Sequence, residues 1–326
     1  MFNLKASSRI VSTLLAVVTS FAAASQEVFP SKLVKLVVPF APGGTADIVG
    51  RIFANELSKQ LNQSVIVENK AGAGGSIGAR YVADAKPDGY TLLLASSSTH
   101  GANPAVYKNL PYDAVTDFTP ITLLNTVPGL LSIHIKVPAS NLSELVALAK
   151  VAPNNLTYAS SGVGGLGNLA MELFKSQTGA PITHVPYKGA GPAFSDLIGG
   201  QVTMIWEPIP AQIEYVKSGQ LKAIAVADET RSAELPDVPT FKESGYPTYD
   251  ALAWNGLLGP KGLQPEVLKT LNEAALRALQ NPELRQRFKG LGASVVGNSP
   301  SEFGMFIAAE VSKWKKVSEN ANIRVE

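Results

Sequence analysis

Ser96, Ser97, Ser98, Thr99 and His100 stand consecutively in the sequence. A serine beside a histidine is the raw material of acyl transfer, in which the imidazole takes the hydroxyl proton. That chemistry also needs a sharp nucleophile turn of the G-x-S-x-G kind and a well-placed acid to orient the histidine, and neither is visible here. The hydroxyls have a second use: they can donate hydrogen bonds to a carboxylate without bringing a charge. Binding, and not turnover, is the expectation. His100, His134 and His184 are far apart and match no H-E-x-x-H or related spacing, so no metal is expected. There is no cysteine, which rules out thiol catalysis and iron–sulfur clusters.

Other small-residue loops share the same setting, after one apolar run and before the next helical one. Pro42, Gly43, Gly44 and Thr45 follow Ala41, with Asp47 in the first helical turn. Such a loop could close on a carboxylate through backbone N–H groups and the Thr45 hydroxyl, or be an ordinary glycine turn with a threonine cap. Asp47 either complements the helix dipole or fixes the loop by accepting backbone hydrogen bonds. Gly72, Gly74 and Gly78 mimic a dinucleotide fingerprint, but after the second strand and with no acidic ribose partner, so no cofactor is expected. Ser160, Ser161, Gly164 and Gly165 precede a helix containing Asn168, and Tyr187, Lys188 and Gly189 precede another. Lys188 is either a charge partner or a solvated turn residue. Trp206 could stack on a planar ligand or belong to the core. Glu207 would repel a carboxylate directly, but could bind an amine, hold a neighbouring group or cap a helix.

These loops need strands and helices to aim them. Residues 33–39 are a short apolar, valine-rich run, hence a strand, and residues 46–61 carry apolar side chains at helical spacing (Ile48, Val49, Ile52, Phe53, Leu57, Leu61). Strands over 64–68 and 91–95 and a helix over 75–83 repeat the unit, the pattern of a parallel sheet covered on both faces. Two further strands are expected over 118–125 and 129–136. The same grammar then restarts: helices over 142–150, 166–177, 192–198 and 210–218 alternate with strands over 157–159, 182–185, 202–206 and 221–227. This predicts a second α/β domain over 126–228, with 25–125 plus 229–326 forming the first. In the tail a strand over 254–258 precedes helices over 264–280, 282–291 and 301–318. In open α/β sheets ligands bind beyond the carboxyl ends of strands, where these loops fall.

The N-terminus narrows the compartment. Lys5 and Arg9 precede an apolar stretch over 10–21, and Ala22 and Ala24 fit an A-x-A cleavage site. Residues 1–24 are therefore expected to be a signal peptide, too short in its apolar part for a membrane span. No cysteine follows for lipid attachment. The 28 Lys and Arg against 26 Asp and Glu give a formal charge of +2, which Lys5 and Arg9 account for. A neutral mature chain has no basic face for nucleic acid.

Together these segments resemble the substrate-binding proteins of tripartite tricarboxylate transporters, also called Bug receptors. The likeness runs through PSKLVKLVVPFAPGGTADIVGRIFANELSKQLNQSVIVENKAGAGGSIGA at 30–79, PDGYTLLLASSSTHGANPAVY at 87–107, LTYASSGVGGLGNLAMELFK at 156–175, HVPYKGAGPAFSDLIGGQV at 184–202 and LPDVPTFKESGYP at 235–247. The resemblance implies a bilobed α/β periplasmic-binding-protein fold of type II, with two domains, two crossover segments and a cleft between them. The C-terminal region would return to the first domain. It implies a monomeric receptor with no cofactor, a small carboxylate ligand and a membrane permease of one large and one small subunit. One ligand carboxylate would meet the loop from Ala41 to Asp47 and the neighbourhood of Ser96, Ser97 and Ser98. The loops at 160–165 and 187–191 would complete the cleft. The family often has Ser at Gly165, His at Asn168 and Asp at Glu207, so the far end of the pocket looks altered here. That leaves open an aromatic or short aliphatic mono- or dicarboxylate. The rivals are a sensor subunit for the same class of solute and an exported carboxylester hydrolase.

Overall fold

The computed structural model describes residues 29–151 and 155–326; the expected signal peptide lies outside them. The chain alternates strand and helix through β1 (Val34–Val38), α1 (Thr45–Leu61), β2 (Val65–Asn69), α2 (Ser76–Ala83), β3 (Thr91–Ser96) and a short α3 (Asn103–Val106). α1 forms because its apolar residues recur on one stripe: Val49, Phe53 and Leu57 are fully buried. Each such side chain contributes about 1.5–3 kcal/mol of burial. They pack on the sheet face carrying Leu36, Val38, Leu92 and Leu94. Gly50 sets the distance, since a Cβ there would stand 2.8 Å from Cγ2 of Val38.

β4 (Phe118–His134) is one strand of 17 residues, where the sequence suggested two. Its first part, as far as Pro128, pairs antiparallel with β9 (Leu252–Pro260) in a sheet ordered β2-β1-β3-β9-β4. From Gly129 onward the same strand pairs with β7 (Met204–Pro208) and β8 (Leu221–Ala227) in a second sheet. Pro128, which cannot donate to a ladder, falls between the two expected strands and here stands at the changeover, opposite Leu252.

The second lobe is built by α4 (Leu142–Val151), β5 (Thr157–Ser160), α5 (Leu166–Thr178), β6 (Thr183–Pro186), α6 (Ala190–Ile198), β7, α7 (Ile213–Lys217) and β8. Its sheet runs β6-β5-β7-β4, with β8 also on β4. The helix expected over 210–218 is split into a 3-10 turn at Ile209–Ala211 and α7, because Gln212 takes a non-helical φ of −133°. Residues 229–251 correct the expected boundary. They pack on the second lobe, where Phe241, Tyr249 and Ala251 join its core and the Tyr249 hydroxyl donates to the Ala170 carbonyl at 3.1 Å. The return to the first lobe comes with β9, followed by α8 (Pro265–Gln280), α9 (Pro282–Gly290), β10 (Ser294–Val295) and α10 (Pro300–Asn320).

α10 opens on a capping box between Ser299 and Glu302. Its first half buries Phe303 and Ile307 in the first lobe. Its second half carries Trp314 and Val317 into the core containing Leu169 and Phe174 of α5, so it touches both lobes. Between these halves the buried Glu310 accepts from the indoles of Trp254 at 2.9 Å and Trp314 at 3.1 Å.

At the changeover a Cβ on Gly129 would stand 1.9 Å from Cζ2 of the fully buried Trp206. Gly129→Ala is expected to destabilise the protein by about 1–3 kcal/mol through overpacking, read as a lowered midpoint in thermal unfolding; an unchanged midpoint would show that the indole moves aside freely.

Candidate functional site

The carboxyl ends of β1, β3 and β7 bring their loops to one cleft between the lobes. Its main cavity is about 500 Å³ and is walled by Gly44, Thr45, Ala46, Ser96, Ser97 and Ser98 from the first lobe and by Glu207, Pro208 and Pro210 from the second. A neighbouring compartment of about 210 Å³ shares Phe40 and Ser98 and reaches Ser161 and Gly162–Gly165.

The first loop is held from behind. Asp47 is buried; its carboxylate accepts from the Gly43 N–H at 3.0 Å, Arg51 at 2.9 Å and Asn69 at 2.9 Å. The same Asn69 amide donates to the Phe40 carbonyl at 3.0 Å. The Arg51 hydrogen bond, helped by Gly43 and Asn69, holds the Asp47 carboxyl down at about 2. Gly43 has φ +86°, a conformation that favours glycine. Ala41, Gly43, Gly44 and Thr45 are exposed. Asp47 lines neither compartment, so its place is that of the loop anchor, the second of its two sequence readings.

Gly44 is the N-cap of α1, and no side chain caps the helix. The 17-residue helix therefore points its first N–H groups and the positive end of its dipole at the cavity. α5 and α6 likewise open on glycines, Gly165 and Gly189, without side-chain caps. Three helices away from the cleft are closed by side chains instead: Asn281 caps α9, Ser299 caps α10, and Asn141 accepts from the Glu144 N–H at 2.9 Å at the start of α4.

His100 is fully buried between Tyr112 and Phe118. Its Nδ1 meets Thr99 Oγ1 at 3.0 Å, and burial pushes its pKa down to about 3. Ser96, Ser97 and Ser98 line the cavity without it, so the suspected nucleophile–base pair is not assembled.

In the second lobe a different serine meets a histidine. Ser160 Oγ lies 2.7 Å from His184 Nε2 and donates to the Gly162 carbonyl at 3.0 Å. The imidazole Nε2–H therefore donates a hydrogen bond to Ser160 Oγ, and Nδ1 faces the Asn168 amide N–H at 3.5 Å. Ser160 is fully buried. This network shapes the loop: Asn168 also accepts from the Gly164 N–H at 2.9 Å and donates to the Tyr158 hydroxyl at 2.6 Å. Nothing in the spacing of His184 advertised it.

Tyr187 donates to Asp196 at 2.7 Å, the Gly189 N–H donates to the Ser161 carbonyl at 3.1 Å, and Lys188 is exposed; none of the three walls either compartment. Trp206, offered as a stacking surface, is instead fully buried in the second-lobe core. Its neighbour Glu207 points the other way, as alternation along a strand requires, and does line the cavity. The aromatic residues at the cavity wall are Phe40 and Trp254. Burial raises the Glu207 carboxyl to about 7, against a smaller opposing effect of the Ser161 hydroxyl. Asn255 was missed; it lines the cavity from β9, a strand whose function its apolar neighbours hide.

Asp47→Asn is expected to loosen the first loop and to cost about 1–2 kcal/mol at neutral pH, from the loss of charged hydrogen bonds. A depressed carboxyl stabilises the fold above its ordinary value of 3.8 and loses that contribution as pH falls through about 2. Thermal midpoints of wild type and variant should therefore converge over that window; a constant gap would show that the charge is not the cause.

Comparison with known proteins places this geometry. The tripartite tricarboxylate transporter family receptor pattern matches residues 49–323. Protein BugT of Bordetella pertussis is 37% identical over 303 residues, covering 93% of each chain. An R. palustris protein solved with adipate is 35% identical with a TM-score of 0.77, covering 91% of this chain and 99% of its own. MatC from Rhodopseudomonas palustris with bound malate is 36% identical with a TM-score of 0.73, covering 89% and 99%. The fold is thus the bilobed α/β fold of periplasmic binding proteins, and the chain belongs to the tripartite tricarboxylate transporter family of solute receptors.

Proposed function

We propose that this chain is the extracytoplasmic receptor of a tripartite tricarboxylate-type transporter, capturing a small carboxylate between its lobes and handing it to a two-subunit membrane permease. The observation that carries the reading is the glycine-capped start of α1, whose free N–H groups face the cavity beside Ser96, Ser97 and Ser98. Neutral donors fixed in place replace the hydration shell of a carboxylate without reorganising. The relatives solved with adipate and malate hold small carboxylates, in keeping with this. Residues 1–24 would direct export and be removed after Ala24, leaving the receptor in the periplasm. Among the described residues no helix is long and apolar enough to cross a membrane.

Capture works by lobe closure. The backbone is continuous between lobes at Pro128–Gly129 and again at 251–252, so rotation is absorbed at those points. Closure brings the glycine-opened starts of α5 and α6 toward the first-lobe loops. No bond is made or broken in this scheme.

Gly44→Asp separates binding from folding. Gly44 has φ −79° and ψ 167°, which any residue adopts, and a Cβ there meets only the Ala41 carbonyl at 3.8 Å. Aspartate is a good N-cap, so the thermal midpoint should hold or rise. Its charge would occupy the place assigned to the ligand carboxylate. In calorimetric titration of refolded protein with a panel of carboxylates, the affinity of whichever binds should fall at least ~100-fold, given the several kcal/mol of like-charge repulsion. Unchanged affinity would remove the α1 terminus from the site.

A further inference from the structure

The charge inventory of the cleft is lopsided. Among the residues lining its two compartments there is no lysine, arginine or histidine, and Glu207 is the single charged side chain. Its Oε1 is buried and has no hydrogen-bond partner among the described residues. Glu207 does not cap the helix beside it, since α5 opens on Gly165 with no side-chain cap. That helix nonetheless packs closely: a Cβ on Gly167 would stand 2.8 Å from the Trp206 carbonyl and 3.5 Å from Glu207 Oε1. Charged residues of the neighbouring helices have partners of their own. Glu172 of α5 meets Lys175 and Tyr158, and Lys217 of α7 meets Glu234. Burial raises the Glu207 carboxyl and the Ser161 hydroxyl opposes it.

A second observation comes from the opposite lobe. Ladder register places Ser96 opposite Asn255 and Asn255 opposite Asn125, so the three share one face of the first sheet. Asn125 is fully buried with neither amide atom hydrogen-bonded among the described residues, and Asn255 lines the cavity. Through Ser96 and Asn255 this row adds neutral acceptors and donors to the cavity wall and no positive charge, with Asn125 buried behind them.

A diacid would set a second carboxylate in a cavity whose one charged wall residue is a carboxylate and which offers no cation to balance it. An ammonium group reverses that arithmetic. We propose that the ligand is an amine-bearing carboxylate, its carboxylate held at the start of α1 and the Ser96–Ser98 turn and its ammonium held by Glu207 with the Asn255 amide. This rests on the carboxylate reading above and narrows it. Glu207 is then the specificity residue, rejecting diacids by repulsion as much as it selects amines by attraction.

The test is a length-matched series titrated by calorimetry into refolded protein: 4-aminobutyrate, succinate, butyrate and 1,4-diaminobutane, then 6-aminohexanoate, adipate and hexanoate. At about pH 8, where Glu207 is ionised, an amino carboxylate should bind at least ~10-fold more tightly than its matched diacid and monoacid. Glu207→Gln should erase that margin by weakening the amino carboxylate at least ~10-fold, without weakening the diacid. A diacid that binds as tightly as the amino carboxylate overturns the inference and leaves the carboxylate reading standing. So does a diacid whose affinity climbs as pH falls through the Glu207 titration, because Glu207 then shares a proton with it. Binding of the diamine alone, or of no member by protein shown to be folded, overturns both. If Glu207→Gln does not fold, the wild-type series still decides.

Discussion

A single backbone belongs to both sheets. β4 hydrogen-bonds to β9 in one lobe and to β7 and β8 in the other, so neither sheet can form without fixing the direction in which the other departs. Every loop of the cleft inherits its position from that strand. The first-lobe loops leave the ends of β1 and β3, tied to β4 through β9, while Glu207 leaves the end of β7, tied to β4 directly. Two strands of a sheet are held about 4.8 Å apart by their ladder, so the far wall of the cavity is placed by register and not by side-chain packing. Gly129 is the cost of that arrangement, because the indole of Trp206 fills the space a side chain would take.

On this frame the cleft is built from what is left out. Glycines begin α1, α5 and α6, and their missing side chains leave backbone donors open to a solute. The side chains that act on these loops stand behind them. Asp47, Asn69 and Arg51 stiffen one; Ser160, His184 and Asn168 stiffen another. A solute held as proposed would meet backbone and hydroxyl donors whose positions are decided one layer deeper. Glu207 is the departure from that plan, a charged group at the surface of the cavity with burial against it.

Much of this was legible in the residues. The strand over 221–227 was read to the residue, and the helical stripe of α1 announced itself because its apolar periodicity survives in the folded context. The glycine loops after β1, β2 and β5 and the hydroxyl run after β3 marked where strands end. What escaped was set by register. Pro128 lies in the gap between the two strands expected at 118–125 and 129–136, and the change of partner there explains why a residue without an N–H is tolerated in one continuous strand. Trp206 and Glu207 were weighed as neighbours in sequence, although alternation sends one to the core and the other to the cleft. Asn125 and Asn255 lie 130 positions apart and meet only because β4 and β9 pair. The segment at 229–251, rich in turns, gave no periodic signal to say which lobe its Phe241 and Tyr249 would cover.

The three tryptophans of the chain are each buried, and each sits where the lobes are joined or face one another. Trp206 lies against the point where β4 changes sheets, Trp254 at the cavity wall, and Trp314 where α10 meets α5. Trp254 and Trp314 share one acceptor, the carboxylate of Glu310. Indole emission responds to the field of a nearby charge and to water at the ring. A relative movement of the lobes that disturbs either indole's distance to Glu310 would therefore alter the protein's own ultraviolet emission, giving the molecule an intrinsic optical gauge of its state without any attached dye.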